Sequence, residues 1–208
     1  MKYDPTKHHR HSIRLKGYDY TQPGAYFVTI LTHQRNEIFG AITGGEMHLN
    51  KYGQIAFQQW EALSHRFRHI RLDEYVVMPN HFHGILVITD QSKGAAEYYS
   101  QHVEPASRCA LTSTHNASSP LRPHSPQVVV GSLGAIVRAY KSAVTYRIHN
   151  MPGTNGLPVW HRNYYEHIIR DDTELHSIRA YIQTNPLSWR EDQLHRFAPP
   201  NRFNQEKS

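Results

Sequence analysis

Two histidines, His81 and His83, stand two residues apart in the stretch EYVVMPNHFHGILVIT. An extended chain turns alternate side chains to one face, so both imidazoles can grip a single cation. Imidazole nitrogen is a borderline ligand that accepts Mn or Zn and, less readily, Mg. Phe82, Leu86 and Ile88 then face the other way, as a half-buried strand requires. The spacing alone is weak evidence. With 17 histidines in 208 residues, chance supplies about 1.4 His-x-His matches, and His9-Arg10-His11 in the N-terminal tail is another. What separates His81 and His83 from that match is their setting in a rigid apolar hairpin. At this level a ligand pair and an incidental pair both stand.

The second chemical candidate lies near the C-terminus, where Tyr181 and Asn185 are four apart and share one side of a helix. A phenol with a carboxamide one turn below can set a nucleophile beside a metal ligand. The alternative is a tyrosine packed at a helix edge and an asparagine closing the helix before Pro186. Thirteen tyrosines compete for the role, Tyr140, Tyr146, Tyr164 and Tyr165 among them. A phenol with a pKa of about 10 is a poor nucleophile at neutral pH unless its charge is stabilised. A divalent cation on a scissile phosphate would lower the barrier to in-line attack.

These side chains need elements to hold them. The stretch AYFVTILT, Ala25 to Thr32, is β-branched and aromatic and follows the turn signal Gln22-Pro23-Gly24, which predicts a strand. A short strand pair is expected around Gly44-Gly45. The segment KYGQIAFQQWEALSHRF places Ile55, Trp60, Leu63 and Phe67 on roughly one helical face. Two apolar strands then meet at the tight turn Pro79-Asn80. Ser132 can cap a helix reaching about His149, with Leu133, Ile136, Val137, Tyr140 and Val144 as its apolar stripe. Asp171 and Glu174 form a capping-box pattern that opens the last helix. Its packing face is Leu175, Ile178 and Ile182. The order β(ββ)αββ, insert, α, α indicates an α+β design, an antiparallel sheet with packed helices.

The chain is expected to form one domain over residues 1–208, with a basic tail over 1–16 and a biased insert over 91–130. The insert is rich in Ser, Ala, Pro and His without apolar period, and cannot bury enough surface to offset its ordering entropy, so it reads as a flexible loop. A single cysteine, Cys109, leaves no internal disulfide and no Cys-based zinc site. No run approaches the length of a membrane span, and the polar, basic start is not a secretory signal, so a cytoplasmic, nucleoid-associated protein is expected. The formal net charge of +6 favours a polyanionic partner.

Four segments, in order, are similar to one family. YVVMPNHFHGIL resembles the HUH hairpin of single-strand transposases, with Phe82 as the hydrophobic middle residue. IRLKGYDYTQPGAYFVTILT, VWHRNYYEHIIRDDTEL and IRAYIQTNPLSW resemble segments of REP-associated tyrosine transposases. The resemblance covers most of the chain outside residues 90–130. It departs at His161, where the family often has Gln. It implies a ferredoxin-like fold, His81 and His83 as ligands of Mg²⁺ or Mn²⁺, and Tyr181 as nucleophile. It also implies Asn185 as a further ligand. The implied activity is cleavage and rejoining of single-stranded hairpin DNA, REP-like palindromes, through a 5′-phosphotyrosine, by a monomer or a homodimer. Arg14, Lys16, Arg138, Lys141, Arg162 and Arg170 are candidate phosphate contacts, each weighed against ordinary surface charge.

Two other functions compete. A non-catalytic nucleic-acid-binding module on this fold would usually carry exposed aromatics on the sheet face where His81 and His83 stand. A His-based metallohydrolase would need an acid as base, and the hairpin places no Asp or Glu near the histidines and carries neither a His-x-Glu nor a His-Glu-x-x-His pattern.

Overall fold

Strand alternation decides the architecture. In β5 (His81–Ile88) the residues Phe82, Leu86 and Ile88 are buried in the larger core, while Ile85 is buried in the smaller one. Opposite faces of one strand therefore feed two separate apolar layers. This computed structural model describes residues 15, 17–89, 129, 131–195, 197 and 198. Arg14, Lys16 and Cys109 lie outside the described residues, as do the basic tail apart from Leu15 and the insert apart from Val129.

The remaining strands are β1 (Gly24–Leu31), β2 (Gly40–Thr43), β3 (Glu46–Leu49), β4 (Ile70–Val77) and β6 (Tyr165–Ile169). The helices are α1 (Lys51–Arg66), α2 (Leu133–His149) and α3 (Asp172–Thr184). The main sheet runs β4-β5-β1-β6, antiparallel throughout. Leaving aside the β2–β3 hairpin, the chain order β1, α1, β4, β5, α2, β6 in that sheet is the ferredoxin-like arrangement expected above. β6 was missing from the sequence-based element order. It is five residues long, contains His167 and Glu166 among its apolar positions, and sits at a sheet edge, so neither length nor apolar run marks it.

α1 and α2 cover one face. Trp60 packs on Phe82 at 4.5 Å between ring centroids and on Tyr140 at 5.2 Å. The α2 stripe is as expected, with Leu133, Ile136, Val137, Tyr140 and Val144 all buried, and Ser132 Oγ accepts from the Ala135 amide. In α1 the buried face is Gly53, Ala56, Trp60 and Leu63, while Ile55 is only half-buried and Phe67 falls just past the helix end. Asn50 caps α1 by accepting from the Tyr52 and Gly53 amides. The β2–β3 hairpin turns on Gly44 and Gly45, both at positive φ (64° and 84°), the pairing a two-residue hairpin turn of this hand requires.

α3 lies on the other face, where Ile182 joins Phe27, Ile85 and Ile169. Its first turn is held as the capping pattern suggested, but with a longer reach. Asp171 Oδ1 accepts from the Glu174 amide, and Glu174 returns past Asp171 to accept from the Arg170 amide and from His167. Arg179 of α3 clamps Asp73, at the irregularity in β4 between Leu72 and Tyr75, through Nε–Oδ1 (2.7 Å) and Nη2–Oδ2 (2.5 Å). This guanidinium holds the Asp73 carboxyl below the usual carboxylate range.

Gly84 shows how tightly α1 packs on β5 behind the histidines. A Cβ placed there would lie 2.8 Å from both the Phe82 ring and the Trp60 indole. Gly84→Val is therefore expected to lower stability by about 1–3 kcal/mol through overpacking, read as a lower urea midpoint at unchanged m-value.

Candidate active site

β5 enters the sheet at His81, opposite Leu31, and His83 follows opposite Thr29. Both imidazoles lie on the α3 side, His81 fully buried and His83 nearly so, with ring centroids 4.5 Å apart. Their orientation is set by the atoms facing away from each other. Asn80 Nδ2 donates to the Leu194 carbonyl at 2.9 Å, which turns Asn80 Oδ1 towards His81 Nδ1 at 2.8 Å. A carboxamide oxygen can only accept, so His81 Nδ1 carries the proton and Nε2 keeps a lone pair. His83 Nδ1 is tied to Thr29 Oγ1 at 2.9 Å, leaving Nε2 as its outward nitrogen. Such outer bonds fix ring orientation at metal sites.

The third member comes from the chain after α3. A 3-10 turn (Trp189–Glu191) delivers Asp192, whose Oδ1 accepts from the Leu194 amide at 2.6 Å. Its Oδ2 points back to His81 Nε2 at 3.8 Å. One ligand atom from each of His81, His83 and Asp192 lies within 4.8 Å of the others, and all three residues are buried. His81 Nε2, Asp192 Oδ2 and Asn185 Oδ1 are buried without hydrogen-bond partners. Three unpaired lone-pair donors converging in one place would be costly unless a cation shares them. The residues therefore fit a divalent metal, and the His81-His83-Asp192 group can hold one.

Tyr181 and Asn185 project from α3 into the same place, as their four-residue spacing indicates. The Tyr181 hydroxyl is 3.2 Å from His83 Nε2, and its ring meets Phe27 edge-on at 6.2 Å. The Tyr181 residue remains 43% exposed, so the hydroxyl borders both the buried cluster and solvent. Tyr140, by contrast, is a core residue behind the sheet, and Tyr146 is exposed on α2.

Electrostatics follow from burial. Desolvation pushes the His81 imidazole down to about 3, opposed by the Asn185 side chain. His83 is also driven well below its ordinary value by burial and then by His81, with Asp192 opposing. Both rings are neutral at pH 7, the state in which imidazole binds metal. Burial, and next the Asp192 carboxylate, push the Tyr181 phenol up to about 12, with Asn185 opposing.

Asp192 was not among the sequence-derived candidates. It sits outside any periodic segment, beside an equally acidic Glu191, and no local signal distinguishes the two. Its presence also corrects the argument against a hydrolytic site, because the acid that the hairpin does not place beside the histidines arrives from elsewhere in the fold. The basic candidates scatter. Arg162 is exposed in the loop after Trp160, whose bridge to Thr32 places it at the His81 end of the sheet. Arg170 follows Ile169, which pairs with Ala25, roughly 20 Å along β1 from the Leu31–His81 pair. Arg138 is exposed on α2, the helix on the opposite face. Lys141 donates to the His161 and Arg162 carbonyls at 2.7 and 3.1 Å, and burial lowers its pKa to about 8.

The fold has a counterpart among solved structures. The solved structure of a REP-associated tyrosine transposase bound to a REP hairpin superposes with a TM-score of 0.52, covering 85% of this chain and 74% of that one at 14% identity. The chain thus has the fold of that transposase, as the family resemblance implied. A transposase candidate from Deinococcus radiodurans R1 shares 16% identity over 82% of this chain and 95% of its own, but at a TM-score of 0.40 the likeness is too loose to bear on the fold. No family model matches the chain. A Haemophilus influenzae (strain Rd) protein, described only as uncharacterized, is 39% identical over 194 residues, 93% of this chain and 97% of that one. The chain belongs to the same family as this Haemophilus protein. Among the described residues no helix is long and apolar enough to cross a membrane.

The lowered His81 pKa has a consequence for the metal-free protein. The unfolded chain takes up this proton near pH 6.5 and the folded one only near pH 3, so folding stability falls as pH drops through that window. Thermal unfolding of the wild type and His81→Gln in EDTA should show the wild type losing more of its melting temperature between pH 7 and pH 5. Parallel curves would contradict the buried neutral imidazole.

Proposed function

We propose that the chain cleaves and rejoins single-stranded DNA, with Tyr181 as nucleophile. The observation that carries this reading is the Tyr181 hydroxyl at 3.2 Å from His83 Nε2, beside the ligand cluster. The Tyr181 oxygen bonds to the scissile phosphorus and the P–O3′ bond breaks. The phenolic proton leaves through the exposed side of the ring, and the departing 3′-oxygen takes up a proton from solvent. The strand is then held as a 5′-phosphotyrosine, and attack by a 3′-hydroxyl on that linkage restores a phosphodiester and releases the tyrosine. His81, His83 and Asp192, with Asn185 Oδ1 beside them, would hold Mg²⁺ or Mn²⁺, which supplies positive charge to the phosphate oxygens and offsets the Asp192 charge that disfavours phenolate. Phe27 and His83 orient the phenol, while the Arg179–Asp73 clamp fixes the helix that carries it.

The substrate class we propose is single-stranded DNA hairpins resembling REP palindromes. The motif resemblance, the net charge of +6 and the hairpin held by the structurally similar transposase support it. Arg162, exposed at the His81 end, would meet phosphate there. Arg138 and Arg170 would follow the backbone further out, Arg14 and Lys16 would add phosphate contacts, and Lys141 would instead order the loop before Arg162. One observation favours a second reading. Asp192 beside the imidazoles could activate water, giving hydrolysis with no protein adduct.

Two experiments test these readings. Incubated with a single-stranded hairpin from around its own gene and Mn²⁺, the wild type should form a denaturation-resistant adduct and Tyr181→Phe none, with hairpin binding retained. Cleaved product without adduct in the wild type would favour the hydrolase. Removing the outer hydrogen bond with Thr29→Val should weaken Mn²⁺ binding by about 10- to 100-fold, read by calorimetry; affinity retained in His83→Ala would show that His83 is not a ligand.

A further inference from the structure

A file of planar rings leads out of the buried site along the segment that carries Asp192. His81 lies 6.0 Å from Trp189 between centroids, Trp189 lies 4.7 Å from His195, and His195 lies 5.8 Å from Phe197. Exposure rises along the file: His81 0%, Trp189 8%, then Phe197 at 82%. The segment is fastened to the sheet end rather than loosely appended. Asn80 donates to the Leu194 carbonyl at 2.9 Å, and Arg35 Nη1 reaches the His195 carbonyl at 3.5 Å. Arg35 itself is held at positive φ (54°), as is Gln34 (52°), a conformation costly for such side chains and maintained only where surroundings enforce it. Arg190, on the same turn as Trp189, is exposed.

An exposed phenyl ring on an ordered aromatic file, with arginines at its base and the candidate ligand cluster at the file's inner end, has the chemistry of a base-stacking platform. Nucleobases stack on aromatic faces regardless of sequence, and cationic guanidinia draw the phosphates that join them. We propose that Phe197, backed by His195 and Trp189, stacks a nucleobase of the DNA strand as it leaves the Tyr181 site. This subsite rests on the strand-transfer reading above and specifies where the flanking nucleotide would be held. It would put the strand exit on the same stretch of chain as Asp192.

The test is a binding measurement that needs no chemistry. In EDTA, a fluorescein-labelled mixed-sequence single-stranded oligonucleotide is titrated against wild type, Phe197→Ala, Phe197→Leu and Phe197→Trp, with an abasic oligonucleotide as control. Phe197→Ala and Phe197→Leu should both weaken binding by about fivefold or more. Phe197→Trp should restore it, and none of the variants should differ on the abasic strand. At 82% exposure the ring contributes little to the fold, so melting temperatures should stay level. Leucine binding as well as phenylalanine, or equal losses on the abasic strand, overturns stacking. So does a change confined to self-association in sedimentation, which would mark the ring as a contact between copies. Ring-dependent binding without any adduct would sink the transesterase reading and leave the platform standing; normal adducts with ring-independent binding would do the reverse.

Discussion

The site depends on one constraint, that a buried lone pair must find a positive partner. β5 runs through the middle of the sheet with apolar layers on both sides, so anything polar on it is cut off from water. Its two imidazoles answer this with one nitrogen each, bonding to Asn80 and to Thr29. The remaining nitrogens point at Asp192, Asn185 and Tyr181, and desolvation keeps both rings neutral. A cation there would relieve the unpaired atoms of His81, Asn185 and Asp192 together. The same field explains why the phenol is so weakly acidic without one, since burial and a nearby carboxylate both penalise phenolate.

Much of this was legible in the sequence because the informative features were local. Strand alternation at Phe82, Leu86 and Ile88, the Ser132 cap and the apolar stripe of α2 are properties of short windows, and short windows decide them. The helical spacing of Tyr181 and Asn185 likewise foretold a shared side, though not that it would face His83; choosing Tyr181 among thirteen tyrosines rested on resemblance. β6 escaped because its identity comes from pairing with β1, not from its own five residues. Asp192 escaped for a related reason. It reaches the histidines through a 3-10 turn and a chain reversal whose only signature is tertiary. Arg170 looked equivalent to Arg162 in the sequence, yet sheet register puts them at opposite ends.

The glycines at two positions show how the frame accommodates the site. Gly84 lets Trp60 press directly on the strand between the histidine and the larger core. Gly45 lies under Leu187, where a Cβ would come within 2.7 Å of Cδ2, so the tip of the β2–β3 hairpin touches the turn that leads from α3 to Asp192. The small sheet thereby buttresses the segment supplying the carboxylate. Asn80, Arg35 and this contact hold that segment from three directions.

The ligands and the candidate nucleophile ride on layers of unequal firmness. α2 carries seven buried residues and α1 four, whereas α3 buries only Ile182 and is otherwise held by half-buried Leu175 and Ile178 and the Arg179–Asp73 clamp. Local opening of α3 should accordingly cost far less free energy than opening of β5, and its amides should exchange with deuterium well before those of the central strands. A tyrosine on such a helix can be displaced while the histidines stay fixed, so the candidate nucleophile and the histidine frame form separate mechanical parts.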